Sequence, residues 1–218
     1  MGFFTWKRYT GNEHLVDKNG TDLPYTVLDF WQWSLSALEL NVNRGSVAEF
    51  IVKSAMESNG FPRDEEISTG VEPYDLIGPM IESLDRNAHI EIKCTALIQP
   101  TSNAEDIIDR RTAKFGISPA SLPGKPGFDN EPIVKQRNND LYVFCLFAGT
   151  PENYNVLDVS LWEFYVLPTY EINESKILNP QKTISIARLD ELGIPKQSFE
   201  TLYEEILNAI KHISDHYQ

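Results

Sequence analysis

Cysteine is scarce in this chain: Cys94 and Cys145 are the only two in 218 residues, and each lies in an apolar run that reads as a strand. Two cysteines exclude a disulfide-dense scaffold, and a structural zinc site would need more Cys or His at short spacing. A single Cys94–Cys145 bridge and two buried free thiols both fit, and a reducing compartment favours the thiols. No stretch approaches the roughly 20 consecutive apolar residues that cross a bilayer. The opening Met-Gly-Phe-Phe-Thr-Trp-Lys-Arg lacks a basic leader followed by an apolar run and a cleavage site. A cytoplasmic protein without a membrane partner is expected. Positive charge is also short, with 19 Lys and Arg against 32 Asp and Glu, a net charge of −13. That balance argues against gripping nucleic acid through a broad basic surface and leaves room only for weak or localised binding.

What remains is ordinary globular material, 41% hydrophobic and 23% charged, without internal repeats. Its length suits a single domain over 1–218. In the N-terminal helical region (26–60), Val27, Phe30, Trp31, Leu35 and Leu38 space as an amphipathic helix over 27–40. Asn43-Arg44-Gly45 predicts a break, Ser46 a second start, and Asn59-Gly60 its end. A pair of strands is expected within 73–99. A short strand at 74–77 leads to a turn at Gly78-Pro79, and then comes the alternating run 88–98. That alternation puts Ile90, Ile92, Cys94 and Ala96 on one face and Glu91, Lys93 and Thr95 on the other, with Gln99 on the same parity. Residues 100–138 carry five prolines and read as a long loop. The loop's cations, Arg110, Arg111, Lys114, Lys125, Lys135 and Arg137, are diluted by carboxylates. The second half of the sheet (139–187) shows strands at 141–148, 161–167 and 183–186. The C-terminal helical region (188–218) carries the stripe Phe199, Leu202, Tyr203, Ile206, Ala209, Ile210 and Ile213. Helices, then strands, then a helix make an α+β or mixed α/β fold.

The residues that suggest chemistry are Asp75, Glu91 and Lys93. Hard divalent cations take oxygen ligands, and magnesium commonly uses one or two carboxylates with water and substrate phosphate. Such an ion polarises a phosphodiester and lowers the pKa of an attacking water. Lys93, two residues beyond Glu91 on an extended strand, points the same way and can offset charge building on phosphorus. The pattern alone is weak, because Asp158 with Glu174-Ser175-Lys176 repeats it. Glu91 and Lys93, however, interrupt an apolar strand where a charge needs a reason, whereas Glu174 and Lys176 sit in a polar stretch.

The run Arg44-Gly45-Ser46-Val47-Ala48-Glu49-Phe50-Ile51-Val52, then Tyr74-Asp75-Leu76, then Ile90-Glu91-Ile92-Lys93 to Gln99, resembles PD-(D/E)XK restriction-endonuclease-like proteins of bacteria. The block 157–168, Leu-Asp-Val-Ser-Leu-Trp-Glu-Phe-Tyr-Val-Leu-Pro, is similar to a later block of the same family. The resemblance covers roughly 44–190 with gaps. It implies a restriction-endonuclease-like fold, a mixed central sheet flanked by helices. It also implies metal-dependent DNA cleavage in restriction, defence or repair, with Mg²⁺ or Mn²⁺ held by Asp75, Glu91 and Glu49. Lys93 matches the catalytic lysine, and Gln99 a polar residue following the catalytic strand. Pro73 is separated from Asp75 by Tyr74, so the literal Pro-Asp pair is lost.

Each residue also has a plainer explanation. Ser46 to Glu49 reads as a capping box, and Glu49 with Lys53 as a helix-surface pair. Gln99 before Pro100 needs no special role. His212, Asp215 and His216 could bind metal, but a frayed polar terminus explains them better. Trp31, Trp33, Trp162, Phe164 and Tyr165 read mostly as packing residues. A catalytically silent binding module or an acidic protein-interaction domain is the competing function class. DNA is the expected partner, and a homodimer would suit cutting of both strands, although no dimer element is legible.

Overall fold

The structure, a computed structural model, describes residues 7–63, 68, 73–99, 107–121 and 135–218. It opens with a small antiparallel hairpin, β1 (His14–Val16) and β2 (Asp22–Thr26). Helix α1 (Val27–Leu35) follows directly. Thr26 caps it: its hydroxyl accepts from Asp29 N at 3.2 Å, while the Asp29 carboxylate accepts from Thr26 N at 2.7 Å.

Helix α2 runs from Asn41 to Ser58, so Asn43-Arg44-Gly45 lies inside a helix and not in the expected break. The cause is tertiary. Arg44 shares the inward stripe of Ala48, Ile51, Val52 and Ala55, and it is 1% exposed. Its guanidinium donates to Glu39 O at 2.6 Å, to Asn41 Oδ1, and to Gln99 Oε1 at 3.2 Å. A side chain anchored so firmly fixes the first turn and outweighs the weak helix propensities of Asn and Gly. Ser46 is consequently mid-helix and caps nothing.

The central sheet has four strands in the order β3 (Leu76–Ile81), β4 (Arg86–Ala96), β8 (Leu141–Phe147) and β9 (Trp162–Pro168). Between β4 and β8 lie three shorter strands, β5 (Lys114–Gly116), β6 (Ala120–Ser121) and β7 (Lys135–Gln136). The β3–β4 and β8–β9 pairs are antiparallel and β4–β8 is parallel, which makes the sheet mixed. Gly78-Pro79 does not turn the chain. It sits in a bulge of edge strand β3, between the pairs Ile77–His89 and Met80–Asn87. Proline is tolerated there because no ladder hydrogen bond needs its missing N–H. A Cβ on Gly78 would meet Ile90 Cδ1 at 2.9 Å.

Both faces of the sheet are covered. One packs against α2 and α5 (Phe199–His216), burying Ile90, Ile92, Val143, Cys145, Phe164 and Val166 among Ile51, Met56, Leu202, Ile206 and Ile213. The other buries Tyr142, Phe144, Leu146, Tyr165 and Leu167. Its cover is β5, α3 (Thr169–Glu174), β10 (Thr183–Ser185) and α4 (Ile186–Glu191). All seven residues of β8 are buried, as expected for a strand enclosed on both faces. Part of the expected long loop is thus structured: β5 pairs antiparallel with β10 and buries Phe115. Lys125 and four of the five prolines, all but Pro119, lie outside the described residues. Cys94 and Cys145 are register partners, and both are free thiols. Among the described residues, then, the chain is a mixed α/β protein with a four-stranded mixed sheet and five α-helices. No described helix is long and apolar enough to cross a membrane.

Candidate functional site

Strand β3 begins only at Leu76, opposite Ile90, so it has no residue to pair with the β4 backbone from Ile92 onward. Asp75 fills the first place of that gap. Its N–H donates to Ile90 O at 3.0 Å, and its Oδ2 accepts from Ile92 N at 2.6 Å. A side-chain carboxylate therefore stands in for a strand carbonyl, which fixes its position at the sheet edge.

Glu91 and Lys93 project from β4 on the face opposite Ile90 and Ile92, as the alternation predicts. Their register partners on β8 are Tyr142 and Phe144. Both are half-buried, and Lys93 Nζ donates to Glu91 Oε1. Glu49 approaches from α2 and is electrostatically coupled to Asp75, Glu91 and Lys93. Ser46 lies mid-helix, so it is not the cap of a capping box with Glu49, and Lys53 donates to Glu57.

Burial leaves these carboxyls short of positive charge. Desolvation first, then the charges of Asp75 and Glu91, push Glu49 up to about 7, against an opposing pull from Lys93. Asp75 is raised by burial despite the Ile92 N–H and Lys93. Glu91 is raised by burial and, more weakly, by Asp75, although its bond to Lys93 pulls the other way. Among the described residues, Lys93 is the cation whose charge lowers all three acids, and it does not offset their burial.

Gln99 is placed differently from the acids. Its amide oxygen accepts from Arg44, so its visible part is in anchoring α2. Arg44 itself was not singled out from the sequence, although its spacing with Ala48 and Ile51 placed it on the apolar stripe. Its Nε is buried without a hydrogen-bond partner.

The alternative motif comes apart. Asp158 accepts from Ser160 N at 3.0 Å, and Glu174 ends α3 and pairs with His216 at 3.0 Å. His216 also stacks on Tyr170 with centroids 4.0 Å apart, so the C-terminal turn is ordered where fraying was expected. Of the aromatics, Trp162, Phe164 and Tyr165 are core, but Trp33 is 85% exposed. Two of the loop cations are engaged in structure: Arg110 pairs with Glu163, and Arg137 donates to Ile117 O, Asn173 and Asn179.

Among the described residues, no three His, Cys, Asp or Glu side chains are grouped to hold a metal ion together. The donor set nonetheless suits a hard cation, since it offers carboxylate oxygens whose charged forms burial disfavours and a bound cation would favour. Such an ion would take one or two of these carboxylates and complete its shell with water and phosphate oxygens, the usual habit of magnesium. Comparison with protein-family models, with curated proteins and with solved structures finds no match for this chain.

Proposed function

We propose that this chain is a divalent-metal-dependent nuclease acting on DNA, with a restriction-endonuclease-like fold. The observation that carries the reading is that Asp75 and the Glu91–Lys93 pair stand at one open edge of the sheet, with Glu49 close enough to feel their charges and burial raising all three acids. The four come from three separate segments, and a solvated surface pair would not show that convergence. A mixed sheet covered by helices on one face and a mixed layer on the other suits the same fold.

In this reading Asp75 and Glu91 hold Mg²⁺ or Mn²⁺, with Glu49 supporting. The bound ion would supply Lewis-acid polarisation of the phosphodiester and a more acidic water. Lys93 holds Glu91 in place in the resting site, and its ammonium is positioned to counter charge on the phosphate oxygens as the bond breaks. Asp75 is oriented by Ile92 N–H, so its remaining oxygen stays directed. Glu49, titrating near neutrality, can hold or release a proton at its carboxyl oxygen at working pH. Restriction, defence and repair are all compatible roles, and cutting of both strands would suit a homodimer.

A catalytically silent binding module is the second reading. It is favoured by the Glu91–Lys93 pairing and the net charge of −13. Plasmid cleavage in Mg²⁺ or Mn²⁺, with a chelator control, separates the two. Wild type should cut only with metal, and Lys93→Ala should lose on the order of 10²-fold in rate. Equal cleavage by both proteins would remove Lys93 from the mechanism, and metal-bound protein without cleavage would favour the silent module.

A further inference from the structure

A cleft of about 680 Å³ opens beside the acids, with Glu49 and Asp75 in its wall. Much of the rest of its lining is aromatic: Tyr9, Trp31, Phe50, Phe61 and Tyr74. Phe50 follows Glu49 directly on α2 and is 66% exposed, a large apolar ring left in water at the mouth of a charged site. Trp31 and Tyr74 are fixed before anything binds. Gly11, at φ +98°, brings its backbone so close to Trp31 that a Cβ there would meet the indole at 3.2 Å. Tyr74 stacks on His89 with centroids 4.0 Å apart and planes 11° from parallel. Lys7 and Arg8 also line the cleft, so cationic groups lie near the aromatic walls in a chain that is acidic overall.

Aromatic walls beside a phosphodiester site call for a flat, π-faced ligand carrying a phosphate. Intact duplex cannot present one, because its bases are stacked and show only their edges in the grooves. An unpaired nucleotide can, since every base has a face to stack and a backbone phosphate beside it. The cleft volume lies within the usual range for a small-molecule site. We infer that this cleft receives an unpaired nucleobase, so that the substrate is single-stranded or locally unpaired DNA and Phe50 is a stacking residue. The inference rests on the nuclease reading for its site and specifies the substrate of that site.

The test measures binding of fluorescent oligothymidylate and of a blunt duplex by anisotropy, alongside cleavage of both in Mn²⁺. Wild type should bind the single strand at least about tenfold more tightly than the duplex. Phe50→Ala should weaken that binding by about tenfold, the usual scale of one lost base stack. Phe50→Trp should retain it. Trp33→Ala, which removes a more exposed aromatic outside the cleft, should change nothing. Equal affinity for duplex, an unaffected Phe50→Ala, or an equal loss in Trp33→Ala overturns the inference. Duplex cleavage that depends on Lys93, with no single-strand preference, leaves the nuclease reading standing and removes this one. Phe50-dependent binding without cleavage removes the nuclease reading, and with it the base as a substrate, and leaves the cleft as a receptor for an unpaired base. Neither binding nor cleavage removes both.

Discussion

Two partly buried carboxylates on the central sheet, Glu163 on β9 and Glu91 on β4, meet opposite surroundings. Burial alone would raise Glu163, but Arg110 and Lys196 together hold it below the usual carboxylate range. Arg110 also donates to Tyr165 Oη, so the group is closed on itself. Around Glu91 no arginine plays that part among the described residues: Arg44, buried on α2, donates to the neutral oxygens of Glu39, Asn41 and Gln99. Lys93 is left to face Glu91, Asp75 and Glu49, and all three acids are raised. The β9 site is a finished ion-pair network, whereas the β4 edge is an incomplete one. An incomplete network in a half-buried place is costly unless something else supplies charge, which is why it is the better candidate for chemistry.

The largest expected effect tests the anchor that Arg44 makes at the start of α2. Arg44→Ala should lower stability by about 2–4 kcal/mol in urea unfolding, since it removes several charge-assisted hydrogen bonds and leaves a void. A loss near zero would mean that the helix start does not depend on Arg44. Next, Arg110→Ala leaves Glu163 without its main partner and should cost about 1–2 kcal/mol. Partial exposure keeps this below the ~3–5 kcal/mol of a fully buried broken pair. If Arg110→Ala is silent, the contrast between the two sites weakens accordingly.

The smallest effect is the most discriminating, because the two sites predict opposite pH slopes. For Glu49 the folded state holds its proton up to about 7, while the unfolded chain releases it near 4.5. Stability therefore falls as pH rises through that window. Glu49→Gln should flatten the slope and raise stability at pH 8 by on the order of 1 kcal/mol, with solvent screening limiting the gain at this half-buried site. Glu163 behaves the other way. Its folded value is lowered, so its contribution is present above the unfolded value and is lost as pH falls through the folded one. Urea midpoints for Glu49→Gln between pH 4 and pH 8, and for Glu163→Gln from pH 6 down through the acid range below 4.5, check both signs.

The contrast also explains what the sequence could convey. The alternation through β4 placed Ile90 and Ile92 on one face and Glu91 and Lys93 on the other, because a strand's period is local. The stripe of α5 was legible for the same reason. Three features depended on partners distant in sequence. Asn43-Arg44-Gly45 read as a break, since nothing local announces that Gln99, some fifty residues on, helps to pin Arg44. Gly78-Pro79 read as a turn, because the same dipeptide suits a bulge on an edge strand only once the edge is known. Phe115 lay in an apparent loop because its short strand finds its partner at Ile184. At the site, Asp75, Glu91 and Lys93 were proposed from their pattern, and the structure brings Glu49 beside them while tying Gln99 to Arg44. The aromatic cleft was missed, because Trp31, Phe50 and Tyr74 carry no shared spacing.

The central claim is that Lys93 leaves the buried acids of the β4 edge under-compensated and that they take up a divalent metal. Mn²⁺ titration by calorimetry at pH 7 tests it directly, comparing wild type with Asp75→Asn and Glu91→Gln. The account predicts binding by wild type that is lost or greatly weakened in both variants, with proton release that disappears in Glu49→Gln. Wild-type protein that binds no Mn²⁺, or binds it equally in all variants, would contradict it.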